Sequence, residues 1–580
     1  MSNFLNVSAS LTGRKWVGPS IDVDRAALAL AQDTNLPPAL CQILARRGVS
    51  SHDASVFLEP KLADLLPDPR TLKDMELATT RFLDAVKSGQ KIAVFADYDV
   101  DGGTSAALLL TWLRDMGHRA TLYVPDRIDE GYGPNEEAMA ELAKTHDLIV
   151  CVDCGTLSHG PIAAAKGADV IVLDHHLGGE TLPDAVAVVN PNRQDEEGHL
   201  AHLCAAAVVF LMLIDANRVL RENQTKGPDL IAMLDLVALA TVADVAPLIG
   251  VNRALVRQGL RIMGRRERPG LVALGDVARM DAAPTTYHLG FLLGPRVNAG
   301  GRIGQADLGA RLLTTDNPHE AQALAEKLDI LNTERRDIEA SVRAAAMEQA
   351  EDRGFEAPLV WAAGEGWHPG VVGIVASRLK EATNRPAVVI GLEGDEGKGS
   401  GRSINGVDLG ASIQKLAAEG LLVKGGGHKM AAGLTVKRDQ LESAMARLTE
   451  LLAHQGAGDA GPADLKLDGM LMPKAATVEL LEDIDKAGPF GAGAPAPRFA
   501  FPDVEIRFAK RVGDSHLKLS FDDGMGTRLD SICFGAFDTP LGAALLAHGG
   551  ARFHLAGRLE INVWGGRRSV QLRLEDAAPA

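Results

Sequence analysis

Three short apolar runs in this 580-residue chain each end in acid. KIAVFAD leads into Asp97-Tyr98-Asp99, HDLIVCVD ends at Asp153, and ADVIVLD runs into Asp174-His175-His176. A further acid, Asp244, closes the apolar stretch DLIAMLDLVALATVADV. Carboxylates gathered at short range repel one another and retain protons unless a cation neutralises them. Oxygen donors joined by one or two imidazoles suit Mn²⁺ or Mg²⁺, whereas a zinc site more often adds thiolate or a third imidazole. Two such ions about 3.5–4 Å apart activate a water and stabilise a leaving oxygen in phosphoryl chemistry. The set therefore predicts a metal-dependent phosphodiesterase. One Asp at a strand end is commonly a turn former or helix cap, so the convergence of several carries the reading. Asp101, inside DVDGG, reads as a turn residue and stays outside the metal set. Cys151 and Cys154 straddle Asp153 at the end of a strand rather than opening a helix, which points to packing rather than redox work.

The elements that must position these groups alternate along the chain. KIAVFAD, SAALLLTWLRDMG, RATLYVPD, EEAMAELAK, HDLIVCVD and ADVIVLD give the βαβ rhythm of a parallel sheet buried on both faces. Ligands of such sheets sit beyond the carboxyl ends of the strands. The fold class is thus α/β, with an N-terminal helical segment over 1–75, a parallel-sheet catalytic domain over 76–300, and connecting helices over 301–352. A second α/β domain follows over 353–455. After the small-residue linker HQGAGDAGPAD, short alternating strands over 464–576 predict a small β-barrel.

Several polar groups outside the acidic set suit an anionic substrate. In the second α/β domain they are His368 in GWHPG, Ser400 and Arg402 in SGRS, and Gly426, Gly427 and His428 in GGGHKMAAG. A glycine-rich loop lets successive backbone N–H groups face an anion, and His and Arg add charge-assisted bonds. Between the domains, GPRVNAGGR supplies Arg296, Asn298 and Arg302 on what reads as a permissive loop. Arg127 in PDR suggests another phosphate contact. Arg253, Arg257, Arg261 and Arg265 recur every four residues and read as one solvated helix face. In the barrel, Arg507, Lys510, Arg511, Lys518, Arg558, Arg567 and Arg568 interleave with Phe508 and Trp564, a composition suited to backbone tracking with base stacking.

Bulk properties fit a multidomain globular protein, with 46% hydrophobic and 23% charged residues. A net charge of −16 argues against indiscriminate duplex binding but not against local basic patches. Five cysteines in so long a chain make no disulfide framework. No apolar run reaches about 18 residues and the first residues carry no apolar leader, so a cytoplasmic protein without membrane contact is expected.

The motifs resemble those of the DHH phosphoesterase superfamily, and the resemblance extends over about residues 70–575 to its RecJ-type single-stranded-DNA-specific exonucleases. Asp97-Tyr98-Asp99-Val100-Asp101-Gly102, Val152-Asp153-Cys154-Gly155, Asp174-His175-His176 and Thr241-Val242-Ala243-Asp244 are similar to its four motifs. Some members carry a His just before the first Asp, where Ala93–Ala96 have none. The resemblance implies that Asp97, Asp99, Asp153, His175 and Asp244 bind two Mn²⁺ or Mg²⁺ ions, with Asp153 bridging. Asp174 and His176 would orient ligands or assist proton transfer. The second α/β domain resembles the DHH-associated domain, gripping the substrate's terminal phosphate, and the barrel resembles an oligonucleotide-binding (OB) fold. The implied activity is 5′→3′ digestion of single-stranded DNA in recombination and repair, with single-strand-binding protein and a helicase as partners. The alternatives are an oligoribonuclease or cyclic-dinucleotide phosphodiesterase of the same superfamily, or a non-catalytic replication or repair scaffold.

Overall fold

The computed structural model describes residues 3–126, 130–458 and 463–580. The N-terminal segment forms α1 (Ile21–Thr34), α2 (Pro38–Arg46) and α3 (Ala54–Leu58). These helices are built onto the far end of the chain. Leu40, Ile43 and Leu44 share one apolar cluster with Phe499, Phe501 and Phe521, and the strand Trp16–Val17 pairs in parallel with Leu465–Lys466. Trp16 is fully buried and its Nε1 donates to Asp576 at 2.9 Å.

The catalytic sheet comprises β1 (Ile92–Ala96), β2 (Ala120–Tyr123), β3 (Leu148–Val152), β4 (Asp169–Leu173) and β5 (Ala187–Val189). Its order is β2-β1-β3-β4-β5, all parallel. Strands β1 and β3 are apolar at every position because both faces are covered. Val94, Val150 and Val152 pack against α4 (Met75–Lys87), α5 (Val100–Asp115) and α6 (Ala205–Glu222), while Phe95 and Cys151 meet Met139 and Ile162 on the other face. Helix α7 (Leu234–Ala243) is buried on nearly all sides, so it has no polar face.

Helix α8 (Gly250–Met263) corrects one expectation. Its first arginine is not solvated: Arg253 is 3% exposed, donates to the carbonyls of Phe57 and Gly488, and lies 3.8 Å over the Phe57 ring. Arg257 likewise donates to Leu58 O. The first two arginines thus face a seam between domains, where they satisfy backbone carbonyls, while Arg261 and Arg265 further along are exposed as expected.

The segment expected as a permissive loop is also ordered differently, as α9 (Gly294–Ile303) with Pro295 in its first turn. Its glycines serve close packing: a Cβ on Gly301 would stand 2.8 Å from Tyr98 O. Helix α10 (Pro318–Arg353) then runs 36 residues into the second lobe. There β6 (Val360–Glu365), α11 (Pro369–Thr383), β7 (Ala387–Glu393), β8 (Glu396–Arg402), α12 (Leu409–Ala418), β9 (Lys424–His428), β10 (Ala431–Lys437) and α13 (Leu441–Ala453) follow. The sheet order is β9-β10-β8-β7-β6. The GGGHKMAAG stretch is therefore a β-hairpin turning at Lys429-Met430 rather than a loop. The barrel is closed by β11 (Phe499–Val512), β12 (His516–Asp522), β13 (Arg528–Cys533), β14 (Arg552–Trp564) and β15 (Arg567–Pro579), with β14 pairing back onto β11.

Candidate metal centre and substrate surface

Register explains why the acids meet. Ala96, Val152, Leu173 and Val189 are neighbours across β1, β3, β4 and β5. The residues that follow them, Asp97, Asp153, Asp174 and Asn190, therefore stand side by side along the carboxyl edge. Backbone bonds extend the ladder one step further, from Asp97 N to Val152 O, Asp153 N to Leu173 O and Asp174 N to Val189 O. The strand order reverses between β1 and β3, which is where doubly wound sheets open a crevice.

Three overlapping groups bring ligand atoms within 4.8 Å of one another: Asp97 with Asp99 and Asp153, Asp101 with His175 and Asp244, and Asp153 with His175 and His176. Asp153 and His175 each belong to two groups. Asp153 is 2% exposed, and among the described residues its Oδ1 makes no hydrogen bond, with His175 Nε2 3.3 Å away. Burial, followed by the nearby Asp101, Asp99 and Asp97, pushes its carboxyl well above the usual range. Burial and then Asp101 and Asp99 push Asp244 up to about 8. A buried, underbonded carboxylate among like charges is stable only with a cation. The residues present thus fit Mn²⁺ or Mg²⁺, with oxygen donors dominant and imidazole in support.

Asp101 corrects the turn reading. It is 1% exposed in the first turn of α5, and its two oxygens accept from Ala205 N and Ala206 N at the start of α6, at 2.7 and 2.8 Å. Its Oδ2 lies 3.6 Å from His175 Nε2. Asp99 caps α5, accepting from Asp101 N and Gly102 N. Gly102 is demanded by proximity, since a Cβ there would stand 2.3 Å from Asp97 O.

Asp174 is saturated rather than underbonded. It accepts from Thr156 N and Oγ1, from His175 N and His176 N, and from His176 Nδ1 at 2.8 Å. Burial alone would raise it, but the His176 and Thr156 hydrogen bonds hold it below the ordinary carboxylate range. In return, Asp174 outweighs burial at His176 and pushes that imidazole up to about 9. Asn190 and Asn192 pin this segment by donating to the His176 and His175 carbonyls. Sequence reading passed over Tyr132, whose hydroxyl bonds to Asp153 O at 3.0 Å and sits 3.1 Å from His176 Nε2. Its only sequence signal is the Gly-Tyr-Gly setting of a residue able to reach back over the sheet. Cys151 and Cys154 are buried, with thiol pKa values raised chiefly by burial.

The expected substrate contacts divide. Arg127 lies outside the described residues. Arg296 is paired with Asp329 of α10 at 2.8 Å, and Asn298 accepts from Val100 N at 3.0 Å, so both brace helices behind the acids. Arg302 donates to Gly370 O at 3.0 Å, joining α9 to α11. His368 caps α11 by accepting from Gly370 N. Ser400, Gly433 and Gly426 are cross-strand neighbours, as are Arg402, Ala431 and His428 one pleat away. By strand alternation these side chains share one face. Arg402 Nη1 donates to Ser400 Oγ at 3.0 Å, and nothing lies within 4 Å of a Cβ built on Gly426 or Gly433. The result is a shallow, nearly side-chain-free floor edged by Ser400, Arg402 and an exposed His428. Gly427 has φ of 148° and lies too close to Ala432 to bear a Cβ.

On the barrel, Arg507, Arg558 and Arg568 are paired with Asp522, Glu575 and Glu482, and Arg511 stacks 4.3 Å over Phe537. Among the described residues Lys510, Lys518 and Arg567 make no ion pair. Lys510 and Lys518 stand directly opposite each other across β11 and β12, a repulsive placement that a phosphate would relieve. Phe508 is exposed beside them. The Trp564 side chain lies outside the described residues.

Family comparisons agree with this architecture. The DHH family N-terminal domain matches residues 91–241, the DHHA1 domain 356–454 and the RecJ OB domain 467–576. The single-stranded-DNA-specific exonuclease RecJ of Dickeya dadantii is 39% identical over 567 residues, covering 94% of this chain and 96% of that protein. The Bacillus subtilis protein of the same name is 33% identical over 573 residues, covering 97% and 71%. The crystal structure of RecJ from Thermus thermophilus in complex with Mn²⁺ superposes with a TM-score of 0.80 at 28% identity, covering 97% of this chain and 79% of that one. A second of its structures holds Mg²⁺. With three domains matched in order and relatives aligned along nearly its full length, the chain belongs to the RecJ family of DHH exonucleases.

Proposed function

We propose that this protein is a Mn²⁺- or Mg²⁺-dependent exonuclease that hydrolyses single-stranded DNA from its 5′ end. The carrying observation is the row of carboxylates along one sheet edge, with the buried Asp153 shared between two ligand groups. Asp97, Asp99 and Asp153 would hold one ion. His175 and Asp244, with Asp101 and the shared Asp153, would hold the other. Bound there, the ions supply Lewis acidity and an activated water. Water adds to phosphorus, the bond to the leaving 3′ oxygen breaks, and a nucleoside monophosphate is released. His176, which Asp174 holds by its Nδ1 and favours in the protonated form, is the group we assign to give a proton to that oxygen. The Ser400, Arg402 and His428 floor suits a terminal phosphate, because small residues admit it and the cationic edge attracts it. Such a grip on the 5′ phosphate favours 5′→3′ polarity. The barrel's unpaired lysines and Phe508 suit the trailing strand, a track that a two-nucleotide substrate would not need. A single-strand-binding protein and a helicase, which expose single strands, are the expected partners in recombination and repair.

The test is digestion of 5′- and 3′-labelled single strands with Mn²⁺ by the full chain and by Asp153→Ala. Stepwise loss of the 5′ label by the native protein and none by the variant is expected. Undiminished digestion by Asp153→Ala would sink the mechanism.

A further inference from the structure

A cavity of about 620 Å³ opens where the N-terminal helices, the catalytic domain and the entry to the barrel meet. Val56 and Phe57 line it from α3, Leu248 and Ile249 from the segment after Asp244, and Pro495 from the barrel side. Its size and apolar walls match those of small-molecule sites. Its charge is unusual in a chain of net charge −16. Arg46, Arg47, Arg253, Lys466 and Arg498 line it, against only Asp53 and Asp468.

Most of the local acid is already engaged. Asp468 faces Arg46 at 3.2 Å, Arg498 is paired with Glu575 at 2.6 Å, and Asp53 accepts from Ser50. Among the described residues, Arg47, Arg253 and Lys466 make no ion pair. The Arg47 guanidinium donates, among the described residues, to the Ala487 and Pro495 carbonyls alone. Arg253 is 3% exposed, and its Nε and Nη1 have no hydrogen-bond partner. Both guanidinium groups lie against the Phe57 ring, at 3.8 Å for Arg253 and 5.9 Å for Arg47. Buried guanidinium without a counter-charge is costly. Burial and the neighbouring Arg47 and Arg257 pull Arg253 down to about 10.

We propose that this cavity is a second ligand site, separate from the metal centre, for a small organic anion whose charged head neutralises Arg47 and Arg253 and whose apolar body lies along Val56, Leu248 and Pro495. Its wall residue Leu248 follows the metal-site Asp244 by four positions and donates from its backbone to Ala492 O at 2.8 Å. An occupant would therefore touch a segment that runs from the metal site to the entry of the barrel.

The test titrates the full chain with 8-anilinonaphthalene-1-sulfonate, an apolar anion, and with uncharged N-phenyl-1-naphthylamine. One sulfonate site per chain is expected, weakened about 10-fold or more by Arg47→Gln and removed by Val56→Trp, which fills the cavity. The neutral dye should bind more weakly and ignore Arg47→Gln. Retained digestion of single strands shows that each variant folds. Competition by thymidine monophosphate or by octanoate distinguishes a phosphate from a carboxylate head, and displacement by either supports the site. Displacement by neither, or sulfonate titrations unchanged in both variants, would overturn it.

Discussion

The two α/β lobes solve opposite electrostatic problems with similar parts. In the first, parallel strands bring Asp97, Asp153 and Asp174 to one edge and bury them. Burial and mutual repulsion raise the carboxyl pKa values of Asp153 and Asp244 there, so these groups favour a proton until a cation displaces it. In the second, mostly antiparallel strands lay glycines side by side and leave Ser400, Arg402 and His428 at a half-open surface. A cation needs several oxygens converging from different strands, which parallel strand ends provide. A phosphate needs a clear floor and a few donors, which a glycine-lined hairpin provides. The burial of the first site and the openness of the second suit the cation and the phosphate proposed for them.

The contrast is most exposed to failure at Asp101. If it belongs to the buried set, Asp101→Ala should lower Mn²⁺-dependent single-turnover digestion roughly 100-fold or more, because both His175 and the start of α6 lose their partner. Near-native rates would leave it a brace between α5 and α6 and shrink the metal set. A pH series separates the lobes next. Asp244, ordinarily at 3.8, is held at about 8 in the folded metal-free chain. Metal must therefore expel a proton below that pH. Calorimetry should find Mn²⁺ affinity rising with pH up to about 8, by about tenfold per pH unit for the Asp244 proton alone and more steeply where Asp153 also gives up a proton. The same shift makes the folded metal-free chain bind more protons than the unfolded chain between about pH 4 and 8, so its stability should fall as pH climbs through that window.

The second lobe should answer differently. Arg402→Ala is expected to raise KM for a 5′-phosphorylated strand about tenfold, the loss of one charge-assisted bond, with kcat little changed and a 5′-hydroxyl strand unaffected. An equal effect on both strands would detach Arg402 from the terminal phosphate. Smallest of all, Tyr132→Phe removes a hydroxyl that orients Asp153 and His176, and steady-state rates should fall about 2- to 10-fold.

How far these sites were legible depended on how local their cause was. An apolar strand ending in acid advertises itself, and so the row on β1, β3 and β4 could be read from spacing. Asp101 could not, because its burial depends on α6, more than a hundred residues away in sequence. A run of glycines looks like a loop until a partner strand such as β8 shows them to be a floor. Arg253 and Arg257 fit a solvated stripe by periodicity, and only the N-terminal helices folded against the barrel turn that stripe inward. The N-terminal segment read only as helical, with no partner assigned, since nothing near Trp16 reveals Asp576 at the other end of the chain.

Helix α10 acts as a ruler between the two lobes. Its 36 residues make a rod of about 54 Å at 1.5 Å per residue, with its only proline in the first turn and no glycine. Length and rotational phase are then coupled. Inserting a single residue would turn the glycine-lined floor about 100° around the rod axis while lengthening the rod by only about 1.5 Å. Natural variation in the spacing of the two lobes should therefore come in steps near whole helical turns.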